Sequence, residues 1–175
     1  MGTPGPIAIG DEAPNFDLTS TEDALLMLRD EVIQTALVLY FFADPASDRA
    51  RRDLDALGRG LKDLARQRTR VLAVSPAKLD DLKKVQVERK LLFPLLHDDR
   101  DFSAQYGVAA AAEGAAAAPA LVVVSRRQRI LWLANPVAAV EEALPQVLKL
   151  LHGLPSPTAS YPKKVINRIV DKWVN

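Results

Sequence analysis

The chain has 175 residues, 49% of them hydrophobic and 26% charged, which fits one globular domain large enough to bury a core. A net charge of +1 gives no reason to expect nucleic-acid binding, and no apolar run approaches the roughly 20 residues of a membrane span. The absence of cysteine excludes disulfides, thiolate metal sites and thiol redox chemistry. We expect a cytoplasmic protein, because the N-terminus lacks the basic start and apolar run of a signal peptide.

Hydrophobic patterning predicts strands and helices that alternate through the first half of the chain. Wholly apolar runs predict strands buried on both faces, and leucines at helical spacing predict amphipathic helices. The clearest helix follows the first central strand, with Asp44 as its expected N-cap and Pro45 as its first residue. The predicted elements are an irregular arm over 2–14, a strand over 15–18, a helix over 24–30, a strand over 32–42, a helix from 45 to 64, a strand over 69–75 and a helix over 78–90.

The second half predicts a strand, a helical turn, a hairpin and a closing helix. The alanine-rich segment 109–118 predicts a loop or a frayed helix, because Gly114 interrupts it. The other predicted elements are a strand entry over 91–96, helical turns over 99–106, strands over 120–125 and 129–134, and a helix over 137–152. We therefore predict a domain over 1–152, a Pro/Ser linker over 153–162 and an amphipathic C-terminal helix over 163–175.

Two segments resemble a known protein family. Residues 9–18 (IGDEAPNFDL) are similar to the opening of peroxiredoxins of the alkyl hydroperoxide reductase/thiol-specific antioxidant group. Residues 93–99 (FPLLHDD) and 106–108 (YGV) resemble the proline, aspartate and Tyr-Gly-Val segment of that family. The resemblance covers roughly residues 7–151. It implies an α/β, thioredoxin-like fold, in which helices flank a central mixed sheet, and in this chain a C-terminal helical extension follows that fold. It also implies a thiol peroxidase activity that needs no cofactor.

The chemistry of this family does not carry over residue by residue. Peroxiredoxins attack peroxide with a cysteine thiolate at a helix N-terminus, beside a threonine and a distant arginine. The resemblance places Asp44 at the threonine position, Ser47 at the cysteine position and Pro119 at the arginine position, where thioredoxins carry a proline that is typically cis. A serine hydroxyl is too weakly acidic to react without a base, and a neighbouring carboxylate would disfavour an anionic nucleophile.

Two functions are compatible with these substitutions. The first is a non-catalytic binding or structural module with a degenerate peroxidase site, and this is the interpretation that we prefer. The second is a thiol-dependent peroxidase in its wild-type form, with Ser47 as an engineered cysteine replacement. A hydrolase that uses Ser47 would need His97 as its base, but no nucleophile-elbow glycines flank the serine.

Two charged clusters are further candidates for binding. The first turns of the main helix carry Arg49, Arg51 and Arg52, which could form an anion site near the degenerate pocket or pair with the aspartates at 48, 53 and 55. Residues 97–101 (HDDRD) could hold a cation, but we interpret them as a cap on the protein surface. We predict no metal site.

The C-terminal segment combines an apolar stripe with basic residues. It could fold back on its own domain, join a second subunit or another protein, or lie on an acidic membrane surface, which we favour least. We expect a homodimer or a protein partner. The stripe consists of Val165, Ile166, Ile169, Val170 and Trp173.

Overall fold

The structure is a computed structural model, and it describes residues 7–100, 102–108 and 118–154. This part of the chain contains seven strands and five helices. In chain order they are β1 (Asp17–Ser20), β2 (Leu25–Met27), α1 (Leu28–Glu31), β3 (Ala36–Phe41), α2 (Asp48–Arg66), β4 (Thr69–Ser75), α3 (Leu79–Glu88), β5 (Leu95–His97), α4 (Phe102–Gln105), β6 (Ala120–Val124), β7 (Ile130–Ala134) and α5 (Val140–His152).

The strands form one mixed sheet in the order β2-β1-β5-β4-β3-β6-β7. β3, β4 and β5 are parallel to one another, whereas β6 runs antiparallel to β3. The parallel strands therefore share a carboxyl end of the sheet, where β3, β4 and β5 stop, and an amino end, where β3 and β4 begin and β6 stops. The predicted mixed sheet with flanking helices is confirmed.

The sheet separates two hydrophobic cores, and β3 contributes side chains to both of them. All six of its residues are buried, as the lack of polar alternation predicts. Val38 and Tyr40 face a core that they share with α2, α3 and α5, while Leu37 and Leu39 face a second core that contains Phe16 from the N-terminal arm. Each fully buried leucine or valine contributes about 1.5–3 kcal/mol from removal of its surface from water. The central strand is thus held from both sides.

Helices α2 and α5 pack side by side and run in the same direction. The start of α5 lies near Asp53, since the carboxylate of that residue is 3.3 Å from the amide nitrogen of Val140. Further along, Gly60 lies against Leu144, and a Cβ atom on Gly60 would come within 3.1 Å of the leucine Cδ1. The glycine therefore permits the close approach, and both helices end at the amino end of the sheet.

The helix predicted over 24–30 is wrong in its first half. Residues 25–27 form β2, which pairs antiparallel with β1, and only Leu28–Glu31 are helical. The hydroxyl of Ser20 accepts the N–H groups of Glu22 and Ala24, so it closes the turn between the two strands and does not cap a helix. Pairing at the sheet edge has overridden the local helical pattern.

The other described elements occur in the predicted order, but their bounds differ. β1 and β5 each share only two residues with the strands predicted over 15–18 and 91–96, and α2 begins three residues later and ends two residues later than predicted. β4 has the predicted bounds, and β6 and β7 form the predicted hairpin. The alanine-rich segment up to residue 117, the linker from residue 155 and the C-terminal helix lie outside the described residues. None of the described helices combines the length and the apolar character needed to cross a membrane.

The core between α2 and the sheet can be tested at Leu57, which is fully buried. Leu57→Ala should lower the free energy of unfolding by about 2–5 kcal/mol, because the cavity forms in a closely packed core. Lys62→Ala on the exposed side of the same helix should change it by about 0.5 kcal/mol or less. Urea denaturation measures both values, and equal losses would contradict the placement of Leu57.

Candidate functional site

The connection between β3 and α2 lies at the carboxyl end of the sheet and contains two of the three positions that the family resemblance implies. The carboxylate of Asp44 accepts the N–H of Ala46 at 2.8 Å, which is a local turn contact. Ser47 is the N-cap of α2: its Oγ accepts the N–H of Ala50 at 3.1 Å and donates to the carbonyl of Asp44 at 2.9 Å. The prediction that Asp44 caps a helix beginning at Pro45 is therefore wrong.

Pro119 lies at the same end of the sheet. It precedes β6, whose first residue, Ala120, pairs with Phe41 at the end of β3. The Pro119 carbonyl accepts the N–H of Val137 at 2.8 Å. The cis peptide bond found in the described residues precedes Pro136, not Pro119. The fold therefore places the three positions at one end of the sheet, but none of them supplies a thiol or a guanidinium group.

A buried carboxylate organises this end of the molecule. Asp53 is only 4% exposed, and its Oδ2 accepts the hydroxyl of Tyr40 and the Nε–H of Arg49, each at 2.8 Å. Its Oδ1 accepts the N–H of Val140 at 3.3 Å, and Arg49 also donates to the carbonyl of Val137 at 2.6 Å. Asp53 therefore connects β3, α2 and the start of α5.

Each partner of Asp53 has a distinct electrostatic role. Burial, followed by the neighbouring Asp53 carboxylate, raises the pKa of Tyr40 far above its ordinary value, so the phenol stays protonated and donates. The N-cap of α5, Ala139, has no side chain that can accept a hydrogen bond, and Asp53 supplies a carboxylate to this helix N-terminus from α2. The network therefore satisfies the buried polar groups at this end of the molecule.

The three arginines at the start of α2 have different surroundings. Arg49 forms an ion pair with Asp53. Among the pairings predicted between these arginines and the aspartates of the helix, this is the one that the described residues form. Asp55 pairs instead with Arg89 at the end of α3. Arg51 and Arg52 form no ion pair with any described residue. Arg51, two positions from Arg49, points to another side of the helix, whereas Arg52, three positions from Arg49, lies on the same side. An anion site on these arginines therefore stays a prediction.

His97 does not contact the serine. Its Nδ1 lies 2.7 Å from the carbonyl oxygen of Ala77, and no hydrogen bond joins it to Ser47. The Ser47 hydroxyl donates instead to the backbone carbonyl of Asp44. This pair therefore does not form the activated nucleophile of a hydrolase.

Asp98 acts as a cap, as predicted, but the prediction that the cap lies on the surface is wrong. It is 5% exposed, and its two carboxylate oxygens accept the N–H groups of Phe102 and Ser103 at 2.8 and 2.9 Å. The hydroxyl of Ser103 donates to it as well, at 2.6 Å. Within the described ranges, which omit residue 101, no three His, Asp or Glu side chains are grouped so that they could hold a metal ion.

The Asp53 network was not among the predicted sites, although the sequence contains a signal for it. Asp53 lies at helical spacing from Ala50 and Leu57, on the stripe of α2 that faces the core. Tyr40 carries a hydroxyl in the middle of an otherwise apolar strand. A buried acid and a buried hydroxyl on adjacent elements each need a partner, so the two could have been paired.

The network predicts unequal effects for two nearly isosteric substitutions. Asp53→Asn should lower the free energy of unfolding by about 2–3 kcal/mol, because it weakens buried hydrogen bonds to a charged acceptor, while Arg49, which is 37% exposed, keeps part of its hydration. Tyr40→Phe should cost about 1–1.5 kcal/mol, since the carboxylate keeps two of its donors. The double variant should lose less than the sum of both, because the two residues share a hydrogen bond. Chemical denaturation measures all three, and a cost for Asp53→Asn no larger than for Tyr40→Phe would contradict this account.

Comparison with known proteins identifies the family and the fold. Residues 9–133 match the model of the AhpC/TSA family. No curated protein shows significant similarity in sequence. Among solved structures, Peroxidoxin BcpB from Mycobacterium tuberculosis is 18% identical, with a TM-score of 0.77 over 85% of this chain and 98% of that chain.

Two further structures support the same fold. A cysteine-to-serine mutant of PrxQ from Xylella fastidiosa is 19% identical, with a TM-score of 0.76 over 85% of this chain and 98% of that chain. AhpC from Mycobacterium bovis is 17% identical, with a TM-score of 0.71 over 90% and 99%. The thioredoxin-like fold expected from the sequence is therefore confirmed, and the chain, which lacks the reactive cysteine, belongs to the AhpC/TSA family.

Proposed function

We propose that this protein is a non-catalytic member of the AhpC/TSA family that works as a binding or structural module. One observation carries the proposal. Ser47, at the position where the resemblance places the reactive cysteine, uses its hydroxyl to cap α2. Since the whole chain contains no cysteine, no other residue of the chain can supply the thiolate.

The chemistry of peroxide reduction supports this reading. A thiolate attacks a peroxide oxygen and becomes a sulfenic acid, which a second thiol then reduces. Serine has no comparable oxidised state, and the Ser47 hydroxyl has no base within the contacts described. The exposed carboxylate of Asp44 lies on the same turn, because it accepts the N–H of Ala46, the residue that precedes Ser47. Its negative charge would disfavour an anionic nucleophile.

The scaffold around the position is nevertheless well specified. β3 is buried throughout, and the three donors to Asp53 hold it to α2 and α5. A binding or structural role requires such a framework but does not require a reactive thiol. The cytoplasmic location stays a prediction from the sequence.

A second function is favoured by the position of Ser47. It occupies the N-cap of a 19-residue helix, where the helix dipole would stabilise a thiolate. The alternative is therefore a thiol-dependent peroxidase in its wild-type form, with a cysteine replaced by Ser47. The presence of Asp44 and Pro119 disfavours this alternative, because an engineered replacement of one cysteine would not also have changed the threonine and arginine positions.

Placing a thiol at two helix N-caps distinguishes the two functions. Ser47→Cys and Lys78→Cys put a cysteine at the N-caps of α2 and α3, so both thiols lie at a helix N-terminus. We expect both variants to consume hydrogen peroxide at the same slow rate in the presence of dithiothreitol, because the threonine and arginine positions remain changed. Peroxide consumption is followed by loss of the oxidant under pseudo-first-order conditions.

The ratio of the two peroxide-consumption rates distinguishes the non-catalytic function from the peroxidase. A rate for Ser47→Cys that exceeds the rate for Lys78→Cys by a hundredfold or more would favour the peroxidase, since it corresponds to about 2.7 kcal/mol of specific stabilisation at the α2 site. Peroxide reduction by the unmodified chain, well above the buffer rate, would contradict the non-catalytic function directly.

We also propose that the C-terminal segment mediates association, as a homodimer or with a protein partner. Its sequence carries an apolar stripe of the kind that docks into a groove of another subunit. The resemblance supports a dimer as well, since family members commonly pair. The stripe consists of Val165, Ile166, Ile169, Val170 and Trp173.

Charge placed on the stripe should abolish this association. Ile166→Asp with Ile169→Asp should convert a dimer to a monomer, because burial of two carboxylates in an apolar contact is unfavourable. Lys164→Asp with Asn167→Asp changes the polar positions and should leave the mass unchanged. Light scattering after size-exclusion chromatography gives the mass, and a parent protein that is monomeric at all concentrations would overturn the homodimer.

A further inference from the structure

Basic side chains are concentrated at the amino end of the sheet, opposite Ser47. Arg68 lies in the turn between α2 and β4, and Arg126 and Arg127 lie in the turn between β6 and β7. The start of β3 separates these two turns, because β4 and β6 are its neighbours in the sheet. With strands about 4.8 Å apart, the two turns are about 10 Å from each other. Helix α5 ends at this side as well and adds the exposed Lys149.

The β6–β7 turn presents its arginines in a defined conformation. The hydroxyl of Ser125 accepts the N–H groups of Arg127 and Arg129 at 3.2 and 3.1 Å. The N–H of Gln128, which has a φ of 57°, donates to the carbonyl of Ser125 at 3.0 Å. Arg126 and Arg127 are therefore held exposed at the tip of a closed turn.

Neighbouring acids compensate the positive charge of this end only in part. Two acids are already engaged, since Asp63 pairs with Arg66 and Glu31 pairs with Arg70. The exposed Asp11 and Glu12 lie beside the start of β7, because the carbonyl of Asp11 accepts the N–H of Ile130 and Glu12 forms an isolated β-bridge with Arg129. Four arginines of this end form no ion pair with another described residue, and they are Arg68, Arg126, Arg127 and Arg129. We call these four arginines, together with Lys149, the basic end.

Exposed aliphatic side chains accompany these cations. Ile33, 62% exposed, comes just before β3, and Leu154, 37% exposed, comes just after α5. Ile9, 65% exposed, lies beside the start of β7, because the adjacent Gly10 donates its N–H to the carbonyl of Ile130. Cations mixed with exposed aliphatic groups are typical of surfaces that contact lipid headgroups, where apolar side chains enter the interface and basic ones bind phosphate.

We propose that the basic end docks on the surface of an anionic phospholipid bilayer. The large exposed hydrophobic side chains of the described residues are all aliphatic, whereas proteins that bind single-stranded nucleic acid use exposed aromatic rings. The chain also continues beyond Leu154 with further basic residues in its sequence, Lys163, Lys164, Arg168 and Lys172. This inference does not depend on the proposed absence of peroxidase activity.

Sedimentation of the full-length protein with lipid vesicles tests the proposal. The protein should bind vesicles of phosphatidylserine and phosphatidylcholine, not phosphatidylcholine alone, and salt should weaken the binding. Each basic residue near such a surface increases the binding constant by a factor of about 5. Arg126→Gln with Arg127→Gln should therefore weaken vesicle binding about 30-fold. Lys78→Gln with Lys84→Gln removes the same charge from exposed positions on α3 and should change binding by about twofold or less.

Three results would overturn the proposal. An equal loss in both double variants would indicate attraction by net charge alone. Failure of the parent protein to sediment with phosphatidylserine vesicles would exclude the lipid surface. Binding to a short DNA, sensitive to Arg126 and Arg127 in the absence of vesicle binding, would assign the basic end to nucleic acid.

Discussion

The buried carboxylate of Asp53 is the constraint on which the carboxyl end of the sheet depends. A charge removed from water is tolerated only where donors replace the lost hydration, and here a strand, a helix and the start of a second helix each provide one. The first turn of α2 is held in place because Arg49 belongs to the same network. Ser47 precedes that turn directly, so its position follows from contacts deep in the core.

This arrangement separates the structural and chemical demands on the helix N-terminus. An unsatisfied helix N-terminus favours an anion such as a thiolate, but it can equally be satisfied by a neutral hydroxyl. In this chain the serine hydroxyl meets the demand, and Asp44 places a negative charge close to it. The scaffold of the AhpC/TSA family can therefore persist without the group that makes it reactive.

The charge of the amino end of the sheet differs from the net charge of the chain. A net charge of +1 suggests a nearly neutral protein, yet pairing of strands and helices brings four unpaired arginines and a lysine to the amino end, where Asp11 and Glu12 compensate them only in part. Because screening limits electrostatic interactions to about 10 Å at moderate salt, a binding surface responds to this local charge and not to the sum over the chain. Composition alone therefore underestimates the attraction of this end for anions.

Features that depend on local patterns could be predicted from the sequence without a structure. The apolar run of β3, the bounds of β4, the hairpin and the long amphipathic helices all follow from side-chain periodicity, and the absence of cysteine limits the chemistry without any structure. The cap of α2 was a choice between two local candidates, and the structure assigns it to Ser47 and not to Asp44. Pairing of residues 25–27 with β1 and the set of donors around Asp53 depend on contacts between separate elements. Asp53 and Val140 are 87 residues apart, and a contact of that range leaves no periodic signal in the sequence.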